Sequence, residues 1–441
     1  MFTRVLPIAL LFVVSLASQA GANAQVTAAQ GSPMLRPPPV SVESYRVETG
    51  MEQRSNYIRG SIVAGVGYID NLYPGSGQGQ LGQLGETVIS LQPTIAFDTE
   101  SARAHTSAVY SPTFLFYEPT SALNEADQNG LFGFQYRFNP RLSLDLNDRL
   151  LKSSTGFGQI GNGGISGSAQ TTTPGIVVPY GERFTNDATG GLSYQFSPHG
   201  MIGTSGNVGY LNYPNTAQVP DLYKSDSRGG GGFYSYRLSE SQYLGAMYEY
   251  EQVFAYPTGQ QYETQTHTID GFYTIYLTKS VSLSVAGGPQ EYIGSHAPLP
   301  TTRAWTPAVT ASAGWQNDHT SFAANFSRTV TGGGGLLGAY YSRNASASGR
   351  WKVSRLWEAG LNVNYAINKD ATPLFGLNSQ GGHAFTTSLA VGRILSDHAR
   401  AGLSYDRIQS RYDGIPSINS NPTSDRVMLS FTWEFLRPVG R

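Results

Sequence analysis

From Ala345 to Ile367 the chain alternates between apolar and polar side chains. Ala345, Ala347, Gly349, Trp351 and Val353 take one parity, and Ser346, Ser348, Arg350 and Lys352 take the other. After Ser354-Arg355 the alternation resumes, with Trp357, Ala359, Leu361, Val363, Tyr365 and Ile367 set against Glu358, Gly360, Asn362, Asn364 and Asn368. Successive side chains of a strand point to opposite faces, so the stretch predicts a β-hairpin with one apolar and one polar face. An isolated hairpin is marginal in water and needs neighbours. Two architectures supply them: a soluble sandwich or barrel with the apolar side in a core, or an outer-membrane barrel with that side in lipid and the polar side lining a lumen.

The rest of the chain separates the two. Eighteen strand-like runs follow one another from 57–70 to 424–436. Short connections are centred at Thr99-Glu100-Ser101, Asn139-Pro140, Ser197-Pro198-His199, Ser239-Glu240, Thr278-Lys279, Asn317-Asp318-His319, Ser354-Arg355 and Ser396-Asp397-His398. Longer ones rich in Gly, Pro, Ser and Asn lie between them, including 71–83, 118–127, 153–183, 214–225, 294–302, 369–381 and 412–423. Outer-membrane barrels keep short turns at the periplasmic rim and long loops outside. With the first strand running outward from the periplasm, every tight turn falls on the periplasmic side, and an even strand number returns the last strand there. A propeller would need four strands per repeat, whereas this repeat holds two. Runs of about 12 to 16 residues also exceed the soluble average and leave room for a tilted crossing of about 9 to 11. The expected fold is an all-β transmembrane antiparallel barrel of about 18 strands.

The two faces then acquire chemistry. Ile89, Leu91, Ile95 and Phe97, Phe132 to Phe138 at even positions, Tyr234, Tyr236 and Leu238, and Val427 to Phe435 at odd positions are expected to meet lipid. Charges are costly in hydrocarbon, so the opposite parity is expected to face a wet lumen. Its wall candidates are Arg141, Asp145, Arg149, Glu249, Glu251, Asp270, Glu358, Asn362, Asn364, Arg400 and Asp406. Asp148, Arg328, Arg393 and Arg407 fit this parity poorly and are expected at rims or bulges.

Met1 to Ala24 carries Arg4, an apolar run from Val5 to Ala17 and an Ala22-Asn23-Ala24 ending, which together read as a cleaved export signal. The expected organisation is a signal peptide over 1–24, a proline-containing extension over 25–56, a barrel over 57–436 and a short tail over 437–441. Cys is absent, which removes disulfides and thiolate metal sites. Charge is sparse at 13% and balanced at a net of −1, so nothing favours nucleic acid or another polyanion.

The segment 153–183, with Gly156, Gly158, Gly161, Gly163, Gly164 and Gly167, lacks the Lys-Ser/Thr ending and strand-to-helix setting of a phosphate loop. It reads either as an external loop or as a constriction folded into the lumen. The seven His are scattered and show no metal-ligand spacing. No cofactor, metal or catalytic site is expected.

The Gly65-Val66-Gly67-Tyr68-Ile69-Asp70-Asn71-Leu72-Tyr73 stretch and the Ser327-Arg328-Thr329-Val330-Thr331-Gly332-Gly333-Gly334-Gly335 run give the chain a resemblance, from Tyr57 to Phe435, to outer-membrane β-barrel proteins encoded with bacterial exopolysaccharide machinery. The strand count also resembles that of the alginate exporter and the specific porins. The resemblance implies an outer-membrane conduit for a secreted polysaccharide or other polar solute. Its partners would be outer-membrane lipid, the barrel assembly machinery and periplasmic export components. A general diffusion porin and a plugged structural or adhesive barrel remain alternatives, as do monomer and trimer. The chain departs from many such barrels by ending Arg437-Pro438-Val439-Gly440-Arg441 rather than on an aromatic residue.

Overall fold

Which face of each strand is apolar, and where that face points, decides the architecture. In the computed structural model, Val427, Leu429, Phe431, Trp433 and Phe435 on the last strand are 45–56% exposed, while Arg426 and Glu434 on its other face are buried. A soluble sheet would show the reverse. The structure describes residues 56–71, 85–159, 180–216, 219, 221–257, 260–278, 280–296, 299–332, 334–371, 381–413 and 423–438. The expected signal peptide and nearly all of the 25–56 extension lie outside the described residues, as do 160–179 of the Gly-rich segment.

Eighteen strands form one sheet. They are β1 (Tyr57–Ile69), β2 (Glu86–Glu100), β3 (Ala104–Glu118), β4 (Glu125–Asn139), β5 (Leu142–Thr155) and β6 (Tyr180–Gln195). Next come β7 (Gly200–Asn212), β8 (Ser225–Ser239), β9 (Gln242–Ala255), β10 (Tyr262–Tyr276), β11 (Val281–His296) and β12 (Leu299–Gln316). The last six are β13 (Thr320–Gly332), β14 (Ala339–Lys352), β15 (Trp357–Asp370), β16 (Gly381–Ile394), β17 (Ala399–Asp413) and β18 (Thr423–Pro438). Each strand pairs antiparallel with its sequence neighbours, and β18 pairs with β1 from Tyr57↔Pro438 to Ile69↔Arg426, which closes the barrel. Closure satisfies backbone groups that lipid cannot. Among the described residues no helix is long and apolar enough to cross a membrane.

The boundaries follow the alternation closely. The hairpin of β14 and β15 pairs Ala345 with Tyr365 and Lys352 with Glu358, as the parity requires. The last strand runs on through Arg437 and Pro438 rather than stopping at 436. Single-residue register shifts occur at Gly294/His296, Arg137/Asn139, Ser153/Thr155 and Arg237/Ser239, and one departure is larger. β12 meets β13 only from Val309↔Arg328 to Gln316↔Ser321, although β12 begins at Leu299 and β13 ends at Gly332. β13 stays paired with β14 along its whole length. The loop-side end of this hairpin therefore leaves the wall at Arg328 and leans into the barrel.

Candidate functional site

Polar side chains of the inward parity line up across strands, because antiparallel partners share a face. Ser312, Asn325, Ser346, Asn364 and Thr386 are successive cross-strand partners on β12 to β16. One step along, Ser348, Asn362, Ser388, Asp406 and Arg426 form a second row on β14 to β18. Elsewhere on the wall, Asn147, Thr189, Asn207, Gly229 and Glu251 form a third. Hydroxyl and amide groups thus dominate wide tracts of the inner surface.

Several inward charges neutralise one another. Arg350 and Glu358 are buried and ion-paired, and Arg400 reaches the other Glu358 oxygen at 3.3 Å and Glu434 at 3.7 Å. Arg400 on β17 spans β16 to do so. Arg426 Nε and Nη2 donate to Asp406 Oδ2 at 3.1 and 2.9 Å, with Asp406 wholly buried. Asp145, Arg149, Glu249, Glu251 and Asp270 take the inward parity on β5, β9 and β10; Glu249 lies within electrostatic reach of both Glu251 and Asp270, so these three carboxylates form an acidic patch on β9 and β10, while Asp145 and Arg149 lie on β5. Arg141 lies in the tight turn before β5, where its backbone carbonyl accepts from Gln195 N. Among the described residues no group of three metal-ligating side chains forms.

The parity exceptions acquire local explanations. Asp148 points outward and accepts from Asn186 Nδ2 at 2.8 Å. Arg393 lies over Trp357 with 5.4 Å to the ring centroid, and Arg407 faces Asp425 at 3.5 Å. Arg328 marks the point where β13 parts from β12.

Apolar groups pack across the loop-side mouth. Leu211, Tyr213, Val219 and Leu222, at the end of β7 and in the connection after it, form one buried cluster with Leu336, Tyr340 of β14 and Tyr412 of β17. β7, β14 and β17 are not neighbours in the sheet, so these contacts cross the interior. Gly335 makes the approach possible: its φ of 92° favours glycine, and a Cβ there would come within 2.7 Å of the Tyr213 hydroxyl. Tyr223 N donates to Gly335 O at 2.9 Å, and Tyr340 Oη donates to Leu337 O at 2.7 Å. Burial pushes the Tyr213 hydroxyl above its usual pKa, partly offset by Arg183.

Gln290 of β11 fastens the inward-leaning β13. Its Nε2 donates to Val330 O at 3.0 Å while Val330 N donates to its Oε1 at 2.6 Å, so one side chain replaces a strand neighbour. A second cluster joins Ile69, Val88, Leu115, Tyr117 and Leu123 to Phe157, Ala384 and Ile408. Phe157 belongs to a helical turn at the start of the Gly-rich segment. Asp127 Oδ1 secures that start by accepting from Ser154 N at 2.9 Å and Ser154 Oγ at 3.1 Å. Of the two sequence-based expectations for 153–183, inward folding describes residues 156–158. The apolar Phe157 between two glycines, and Leu336-Leu337 after the glycine run, were the available signals for these contacts.

No family model matches the sequence, and no curated protein matches it. Among solved structures, the chain is similar to the FrpB iron transporter from Neisseria meningitidis, at 8% identity, covering 87% of this chain and 83% of that one, with a TM-score of 0.44. It is also similar to OccK2 (OpdF) from Pseudomonas aeruginosa in complex with glucuronate, at 11% identity, 86% and 98% coverage and a TM-score of 0.40. A bacterial polysaccharide outer membrane secretin shares 10% identity over 87% of this chain and 100% of that one, with a TM-score of 0.33.

Proposed function

We propose that this barrel is an outer-membrane conduit for a polar solute of low charge, with saccharides as the class its wall fits, and that the inward-packed outer segments are its closed state. The hydroxyl and amide row from Ser312 to Thr386 carries the reading. Such a row offers donors and acceptors at a spacing of about 5 Å, weak and repeated, as a sliding polyhydroxylated chain needs. The mutual pairing of Arg350, Glu358, Arg400 and Glu434 lowers the field that would otherwise select strongly for ions. Export of a polysaccharide is the finer form of this proposal and accords with the resemblance of the Tyr57 to Phe435 region. It would place the protein beside periplasmic export components, with insertion by the barrel assembly machinery. The apolar cluster around Tyr213 and Leu336 favours a second reading, a plugged barrel whose exposed connections carry the function.

Single-channel recording of the refolded protein in a planar bilayer, intact and with 156–180 deleted, separates the two. A conduit shows brief or small openings when intact, larger steady ones after deletion, and current block by neutral oligosaccharides. Silence in both proteins, with insertion verified, rejects the conduit and leaves the plugged barrel.

A further inference from the structure

The lipid-facing side of β13 to β17 carries a row of cations. Arg328 and Arg343 are direct cross-strand partners and share the parity of the lipid-facing Phe326 and Ala345. The row continues through Ile367 and His383 to Arg411. Like charges directly opposite in an antiparallel pair destabilise it. Three other outward cations of this rim have carboxylate partners, Lys152 with Glu182 at 2.8 Å, Arg303 with Glu291, and Arg407 with Asp425 at 3.5 Å, while Arg228 donates to Gln252 at 2.8 Å and lies over the Phe254 ring. Among the described residues no carboxylate pairs with Arg328 or Arg343, while Arg411 lies 3.7 Å from the exposed Asp413. The adjoining connections 372–380 and 414–422 contain no acidic residue in their sequence.

Depth places this row at a head-group level. From Trp351, at the periplasmic end of β14, to Arg343 the strand rises about 27 Å, or roughly 20 Å across the membrane at a tilt of about 40°. That approaches the outer edge of an apolar band about 25 Å tall.

An independent feature adjoins the row. On the same face, β11 and β12 form a shallow, open notch of about 440 Å³, lined by Gly287, Gly288, Pro289, Trp305, Pro307 and Val309 among others. Val309 is the cross-strand partner of Arg328, so apolar notch and cations are contiguous. We propose that this face binds a phosphorylated lipid of the outer leaflet, with phosphates on Arg328 and Arg343 and an acyl chain in the notch. Guanidinium forks suit phosphate oxygens, and a bound anion removes the repulsion between the two arginines.

The test is native mass spectrometry of the full protein from a neutral detergent, titrated with a diphosphorylated glycolipid and with the same lipid dephosphorylated. Heat-modifiable electrophoretic mobility and vesicle insertion first report whether each protein is a folded barrel; failure there concerns the membrane reading itself, not the site. Removing the phosphates is expected to weaken binding to the wild-type protein. R328Q/R343Q is expected to bind the phosphorylated lipid about 25-fold more weakly, about fivefold per arginine, with R328K/R343K closer to wild type. R393Q, at the opposite rim, should bind as wild type does. Equal wild-type binding of the two lipids, an unaffected folded double glutamine variant, or displacement of the lipid by millimolar inorganic phosphate would each overturn the proposal. If the double variant does not fold, the wild-type comparison of the two lipids still decides.

Discussion

The ring of Phe157 lies over the guanidinium of Arg426, 4.6 Å from its carbon to the ring centroid. This contact joins the segment after β5 to a strand on a distant part of the wall, and Asp406 fixes the guanidinium in place. Replacing Phe157 by Ala removes a cation–π contact of about 1–2 kcal/mol together with its packing. We expect the open-to-closed ratio in single-channel records to rise by about tenfold or more. An unchanged ratio in a folded F157A protein would mean that this segment does not gate the lumen.

Asp406 and Arg426 form a buried ion pair, so removing one partner strands the other. Asp406→Ala is expected to destabilise the barrel by about 3–5 kcal/mol, whereas joint replacement by Leu and Met should recover most of the loss. Urea unfolding in detergent micelles, followed by tryptophan fluorescence, measures both. Equal losses in the single and double variants would refute a compensated pair.

Gly332 sits where a Cβ would approach Thr264 Cβ to 2.8 Å and Val253 Cβ to 3.1 Å. Gly332→Val should therefore push the β13–β14 end away from β9 and β10, and Gln290→Ala should release it by unfastening Val330. Both are expected to speed proteolysis near 334–338 severalfold without changing heat-modifiable mobility. Protection equal to wild type would show that neither contact holds this end in place.

Asn362 and Asn364 face inward on β15 within the two polar rows. Their joint change to Asp adds fixed negative charge to a weakly charged wall. The reversal potential across a salt gradient should move toward cation selectivity, and block by neutral oligosaccharides should weaken. An unmoved reversal potential in a conducting variant would remove these residues from the permeation path.

Much of this architecture was legible because period-two alternation is a local signal. Trp351 and Ala359 already stand on one face in the sequence, and the short Ser354-Arg355 connection implies their antiparallel pairing. Parity also assigns Glu249, Glu358 and Asn362 a face, but it says nothing of which distant strand a side chain will meet. Arg400 reaching Glu358 depends on a contact across the intervening β16. The departure of β13 at Arg328 was illegible for a related reason: Thr329 to Gly332 keep a strand pattern while their partners change from β12 to Gln290 and the barrel interior. Phe157 was concealed by glycines that favour an external-loop reading, and Arg141 fell one residue outside the strand whose parity it follows.

The pairing of Tyr57 with Pro438 also governs how the protein is made. Every other strand junction joins segments adjacent along the chain, whereas this one joins β1 to β18 and must close a loop of nearly the whole barrel. Until then the growing sheet carries two bare edges, one on β1 and one on the newest strand, each able to capture another copy. Chains in which β18 has not yet reached β1 are therefore the species most exposed to aggregation, and a chaperone that shields β1 alone would protect one of the two edges.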